Sequence, residues 1–335
     1  MSERAPSQTR SKKRSTSVTS APSTPSTPKV LITGVSGGLG RLLAQRLLQA
    51  GYEVCGIDRR PWADPPIGVR VFEADIRKRP AEDVFRQHRP DVVVHMATVT
   101  HQGAPSEERY RINLGGTQAV FEHCHTYGVK QAVFVGRHTV YGAAPDAPLY
   151  RCEDEPPLAA ATYPSLSDLV AADLFAASAL WRYPEVKTCV LRLVYTLGPS
   201  MRGTLASYLG GRLGDVVPMV MGFDPLFQVM HEYDAVEAIY ESIRCGLKGT
   251  YNVSGPRPIP LSTLCREVGR HPVSVPQLLY PALARRLSRA PLPSSALNHI
   301  KYPVVVNGDA FKEATGFEHR LNEPQLLEAF RAYSQ

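Results

Sequence analysis

Residues 30–51 constrain the fold of this chain more than any other stretch. Val30-Leu31-Ile32 is a short continuous apolar run ending in Thr33-Gly34, the pattern of a fully buried strand. Val35-Ser36-Gly37-Gly38-Leu39-Gly40 follows and completes T-G-x-x-G-x-x-G. Leu39, Leu42, Leu43, Leu47 and Ala50 then recur at helical spacing until Gly51 stops the helix. Strand, glycine turn and helix in that order open a βαβ unit. Each glycine has a physical task. Gly34 permits the tight turn, Gly37 lets backbone approach a pyrophosphate on the helix N terminus, and Gly40 lets helix and strand pack closely.

Further strand patterns stand at 53–57, 69–74, 91–95, 131–135 and 187–193, with helical patterns such as 106–127 and 167–181 between most of them. This alternation predicts an α/β fold, a doubly wound Rossmann-type parallel sheet. Beyond residue 196 prolines cluster and only short helices are expected, at 233–245 and 261–268. The chain therefore divides into a tail (1–28), a dinucleotide-binding domain (29–198) and a small mixed substrate lobe (199–335). Segments such as 226–254 are candidates to return to the main sheet.

Charge separates the tail from the rest. Residues 1–28 hold five cations against Glu3, so +4 of the net +7 sits there. Thirteen of those residues are Ser or Thr, a composition with too little apolar surface to order itself, so disorder is predicted. The remainder carries only +3, which argues against a general nucleic-acid surface. No apolar run reaches the ~18 residues of a membrane span, and the N terminus lacks the apolar core of a secretory signal. The six cysteines are scattered without a C-x-x-C pair, so reduced thiols in the cytoplasm are expected, with no metal site. His123-Cys124-His125 has metal-ligand residue types, but positions two apart on a helix face different ways. Residues 281–289 read as a basic amphipathic surface helix.

Asp58 ends the second strand, 24 residues after Gly34. An acid there accepts hydrogen bonds from the adenosine ribose and repels a 2′-phosphate, which favours NAD over NADP. Arg59 and Arg60 follow at once, and either would suit a 2′-phosphate.

More segments fall in a familiar order: Asp75-Ile76, His95-Met96-Ala97, Asn113-Leu114-Gly115-Gly116-Thr117, Thr139-Val140-Tyr141-Gly142, Leu191-Arg192 with Gly198-Pro199, His231-Glu232-Tyr233-Asp234 and Gly249–Val253. With the glycine motif, they make the chain after residue 28 resemble the extended short-chain dehydrogenase/reductases, the NAD-dependent epimerase/dehydratase family. The resemblance implies that Gly34, Gly37, Gly38, Leu39, Gly40, Asp58, Arg59, Asp75, Ile76, Met96 and Ala97 line the cofactor site. It also implies that Asp75 contacts adenine, and that a homodimer forms through helices 106–127 and 164–181.

The resemblance breaks at the reacting centre. The family uses a Tyr as acid/base, a Lys four residues later that lowers the Tyr pKa, and a Ser or Thr after the fifth strand. Tyr163 stands where the Tyr is expected, but Ser167 fills the Lys position, and an Asp168 in that slot has the wrong sign. Asp168 reads instead as a first-turn acid stabilised by the helix dipole. Arg137 replaces the Ser or Thr, within Gly136-Arg137-His138. One reading keeps the chemistry: Arg137 supplies the charge, Thr139 or His138 orients the substrate oxygen, and Tyr163 or Tyr141 moves the proton. In a second, the site is silent and the protein binds NAD(H) as a sensor or scaffold. In a third, Arg137 anchors an anionic substrate. The substrate lobe departs too. Tyr195 replaces the Asn of nucleotide-sugar members, and Asp224–Met230 holds no cation before the His231 motif. Leu226–Met230 reads as a buried strand, and Arg202 and Arg212 remain for an anion. The expected activity is hydride transfer at a carbinol carbon of a sugar or other hydroxylated small molecule.

Overall fold

The computed structural model describes Met1 and residues 27–99, 106–209, 215–287 and 294–334. The tail read as disordered, apart from its ends, and Arg212 lie outside the described residues.

The continuous apolar runs become strands because a parallel strand buried on both faces needs them. They are β1 (Lys29–Thr33), β2 (Glu53–Asp58), β3 (Val69–Glu73), β4 (Val92–His95), β5 (Gln131–Arg137) and β6 (Lys187–Leu193). A seventh, β7 (Gly249–Val253), comes from far along the chain and pairs with β6. The sheet order is β7-β6-β5-β4-β1-β2-β3, and every pairing is parallel. Side chains alternate across it: Val30 and Ile32 enter one core, and Leu31 enters the other. Helices α1 (Gly38–Gln49) and α5 (Glu232–Arg244) cover the first face, with Leu43, Leu47, Ala235 and Ile239 buried. Helices α2 (Arg79–His88), α3 (Gly116–Thr126) and α4 (Ser167–Arg182) cover the second. The chain runs outward from β1 to β3, then returns to β4 on the other side of β1. The crevice at that reversal is where doubly wound sheets bind ligands.

A third core, including Leu205, Tyr208, Val217, Leu261 and Phe330, belongs to the carboxy-terminal lobe. There Val216–Val220 pairs with His271–Val275. The single strand expected over 226–230 is two pieces. Leu226–Phe227 pairs with Ile259–Pro260, and Val229–His231 pairs with Tyr195–Leu197. The break falls at buried Gln228, whose amide exchanges hydrogen bonds with the Val306 backbone at 3.1 and 2.8 Å.

The helix expected over 106–127 is also interrupted. Ser106–Tyr110 leads into a π-turn, Arg111–Gly115, before α3. The turn places Asn113 in the interior, where its amide bonds Val99 N at 2.7 Å and Val99 O at 2.9 Å. A π-bulge that swings a polar side chain inward is a recurrent device at functional sites. Among the described residues no helix is long and apolar enough to cross a membrane.

Candidate active site

A cleft of about 840 Å³ opens over the carboxyl ends of the strands. Every residue expected on the cofactor side lines it: Gly34, Gly37, Gly38, Leu39, Gly40, Asp58, Arg59, Asp75, Ile76, Met96 and Ala97. The glycine loop is built as the sequence requires. Gly34 has φ +79°, and a Cβ there would stand 2.9 Å from the Met96 and Ala97 backbone. A Cβ on Gly40 would meet Gly34 O at 2.5 Å, so α1 presses directly on the loop. The N terminus of α1 thus faces the cleft, with the Ser200 side chain seated against it, 2.7 Å from where a Cβ on Gly38 would stand.

Asp58 is buried, and its carboxylate is fixed. It accepts from Ser36 N at 3.1 Å and Arg60 N at 2.9 Å, and pairs with the Arg60 side chain at 3.3 Å. Ser36 Oγ donates to Arg60 O at 2.8 Å, which closes the clamp. Arg60 rather than Arg59 is therefore the partner of Asp58, and a 2′-phosphate would have to take Arg60 from it. Asp75 is committed to Arg77, at 2.9 and 2.5 Å, and this pairing holds its carboxyl down at about 2. Contact with adenine, the expectation for Asp75, competes with that pair.

Between the two halves of the cleft lies a buried polar chain. Thr33 Oγ1 accepts from Met96 N and Ala97 N, at 3.2 and 3.3 Å, and so donates to His95 Nδ1 at 2.7 Å. Thr117 donates to Asn113 O at 2.6 Å and lies 3.0 Å from His95 Nε2, which therefore carries the ring proton. Burial pushes the His95 pKa to about 3, so the ring is neutral. His95 shapes the Met96-Ala97 wall and takes no part in proton transfer.

At the other end of the cleft stand Arg137, His138, Thr139 and Tyr195. The Arg137 guanidinium makes no hydrogen bond or ion pair with any described residue. Burial pushes its pKa down, opposed by the nearby Tyr195 phenol. His138 Nδ1 donates to Leu193 O at 3.1 Å, which leaves Nε2 an unpartnered acceptor. Burial takes the His138 pKa to about 3. The Tyr195 ring meets His138 edge-on at 4.6 Å, and burial raises the Tyr195 pKa to about 12.

Tyr163 does not line this cleft. It lies in an adjoining cavity of about 60 Å³, which shares Arg137, Thr139, Tyr195, Thr204 and Leu205 with the cleft. Its ring faces His299 at 5.4 Å, and burial raises its pKa, partly opposed by the charge of Arg109. Ser167, in the Lys position, donates to Pro164 O at 2.6 Å. Asp168 is more than a first-turn helix acid. It is buried, bonded to Arg109 at 2.7 Å and to Asn113 Nδ2 at 2.5 Å. Arg109 reaches on to Ser165 O at 2.7 Å. Sequence reasoning missed Arg109, because nothing local distinguishes a buried arginine from an exposed one on the same short helix. Tyr141 is excluded as an acid at the cleft. It is fully buried, donates to Asn252 at 2.8 Å and accepts from Arg192 at 2.7 Å. Arg202 lines the cleft and is exposed. No group of His, Cys, Asp and Glu among the described residues is arranged to hold a metal.

Comparison with known proteins agrees with this geometry. The profile of the NAD dependent epimerase/dehydratase family matches residues 30–254. An uncharacterized protein of Mycobacterium tuberculosis H37Rv is 31% identical over 256 residues, covering 74% of this chain and 67% of that protein. UDP-glucose 4-epimerase of Erwinia amylovora is 29% identical over 205 residues, 57% of this chain and 60% of its own. Among solved structures, the Thermus thermophilus UDP-glucose 4-epimerase complex with NAD superposes with a TM-score of 0.72 at 21% identity, over 91% of this chain and 98% of the other.

Proposed function

The chain belongs to the NAD-dependent epimerase/dehydratase family, and on that premise we propose that it binds NAD in the cleft and transfers hydride at a carbinol carbon of a hydroxylated small molecule. The observation that carries this reading is a complete dinucleotide cradle that opens, without interruption, onto the unpaired Arg137. The glycine loop and the α1 N terminus would hold the pyrophosphate, and Asp58 the adenosine ribose. The Asp58–Arg60 pair favours NAD, because a 2′-phosphate would face the carboxylate. Bound NAD supplies a two-electron acceptor. Thr139 would orient the substrate hydroxyl, and the Arg137 charge would stabilise negative charge there. The carbinol hydrogen leaves with its electron pair, and the hydroxyl proton passes to water at the open cleft. Tyr163 lies outside the cleft and Ser167 fills the lysine position, so Arg137 is the cation nearest the reacting end among the cleft residues.

A nucleotide diphosphate sugar, the substrate named for the epimerase relatives, is less well supported here, since 224–230 supplies no cation for a diphosphate. A homodimer through the 106–126 segment and α4 would cover Leu174 and Trp181, which are 49% and 79% exposed. Sedimentation of wild type against Trp181→Glu tests it.

One observation favours a second reading. The displacement of Tyr163 and the hydrogen-bonded Ser167 suit an NAD(H)-binding protein that does not turn over. Calorimetric titration with NAD and NADP, beside Gly37→Asp, tests the cradle. Hydride exchange from a labelled alcohol and sugar panel then separates the two readings. NAD binding without exchange on any panel member removes the enzyme reading; failure to bind either nucleotide removes both.

A further inference from the structure

The small cavity beside the cleft has an unusual lining. Leu166, Leu205, Phe227 and Ile300 line it together with two threonines and three tyrosines, and two groups on it stand without a partner among the described residues: the Arg137 guanidinium and the buried His299 Nε2. Buried polar atoms are almost always satisfied, so the orphaned His299 Nε2, beside a half-buried guanidinium without an ionic partner among the described residues, points to a missing ligand. The ligand's chemistry follows from them. A planar guanidinium matches a carboxylate through two parallel hydrogen bonds. A phosphate dianion suits several cations, and among the described residues no other Lys or Arg lines this cavity. The His299 nitrogen asks for one further oxygen function. A volume of about 60 Å³ leaves room for roughly four to six non-hydrogen atoms, less than a sugar ring with its hydroxyls.

We propose that this cavity is a carboxylate site. Arg137 grips the carboxylate of a short-chain hydroxy or oxo acid, its alkyl end lies among Leu205, Phe227 and Ile300, and His299 meets its second oxygen function. The inference rests on the NAD reading of the adjoining cleft and names the substrate class for it. It also gives the loss of the family Ser or Thr a purpose, since arginine at that position turns a hydroxyl-orienting site into an anion-binding one.

The test is calorimetric titration of the full chain, with and without NAD, using 2-hydroxybutyrate, butyrate, butyramide and inorganic phosphate. Wild type should bind both carboxylates, with butyramide at least tenfold weaker and phosphate silent. Arg137→Met should abolish carboxylate binding, Arg137→Lys should weaken it severalfold, and both should still bind NAD. His299→Phe should weaken 2-hydroxybutyrate while sparing butyrate. Equal binding of butyrate and butyramide overturns the proposal, as does phosphate competition or an unaffected Arg137→Met variant. NAD binding with no carboxylate binding defeats this inference alone. Carboxylate binding without NAD binding defeats the functional reading and keeps the site.

Discussion

Removing the Asp168 carboxylate should be among the most damaging single changes to the fold near the site. Asp168 and Arg109 are side chains only 6% and 3% exposed, joined at 2.7 Å. Arg109 Nε already has no partner, and only Ser165 O would remain to the guanidinium after Asp168→Ala. Breaking a buried pair from one side leaves an uncompensated charge and costs about 3–5 kcal/mol. For a chain of this size that is a fall in melting temperature of roughly 4–8 °C. Asn113 Nδ2 would lose one of its two acceptors and keep Val99 O, which loosens the cleft wall there. Replacing both partners, as Arg109→Met with Asp168→Leu, removes the charges together. The double variant should then lie within about 1–2 kcal/mol of wild type, the remainder being the acceptor lost to the Asn113 amide. Urea unfolding of the four members of this cycle measures the coupling. Additive losses, or an Asp168→Ala cost below about 1 kcal/mol, would refute the buried-pair account. Loss of turnover in Asp168→Asn at unchanged stability would return Asp168 to the reacting centre.

Other perturbations follow from the same geometry. Gly34→Ala forces a Cβ to within 2.9 Å of the Met96-Ala97 backbone at φ +79°, so NAD affinity should fall at least tenfold by calorimetry, with a lowered melting temperature. His95 and His138 have folded pKa values of about 3, against about 6.5 when unfolded, so the unfolded chain binds more protons between those values. Stability should therefore fall as pH drops from 7 to 5, by about 2 kcal/mol per histidine, and urea midpoints at the two pH values check it. Arg137→Met removes a desolvated charge that has no ionic partner, so it should raise stability by roughly 1 kcal/mol while ligand binding is lost. Tyr163→Phe should leave any measured turnover within about twofold, because its ring does not line the cleft, and a loss of 10²-fold or more would restore it as the acid.

The legible parts of the sequence were those whose physics is local. Strands such as β1 and β4 announce themselves because burial on both faces demands unbroken apolar runs, the edge strand β3 (Val-Arg-Val-Phe-Glu) less so, and the glycine loop because only glycine fits a position 2.9 Å from another backbone. β7 was readable only through family resemblance, since Gly249-Thr250-Tyr251-Asn252-Val253 has no such run. The reacting end was opaque for the opposite reason. Asp168 looks like an ordinary helix-start acid until a segment 59 residues away brings Arg109 against it. Tyr163 looks catalytic until it is placed beside His299, in a cavity the cleft only adjoins. The Arg59-Arg60 pair gave no local sign of which arginine would fold back on Asp58, because that depends on the turn that clamps Arg60 to Ser36.

The distribution of satisfied and unsatisfied charge carries the remaining weight. In the interior, Arg109 meets Asp168, Arg151 meets Glu155 and Arg192 meets Asp173. Arg137 differs from these: it is half-buried at the cleft and meets no acid among the described residues, and a partly desolvated charge without a partner subtracts from stability. The same end of the molecule holds the unpartnered Nε2 atoms of His138 and His299. Local rules fail most often where a site trades stability for a ligand. Other unsatisfied buried atoms stand on Arg109, Arg151, His231, Asp234 and His319, so what sets this end apart is that His138 and His299 lie beside a cation without an ionic partner among the described residues, on the wall of a cleft and of the cavity that adjoins it.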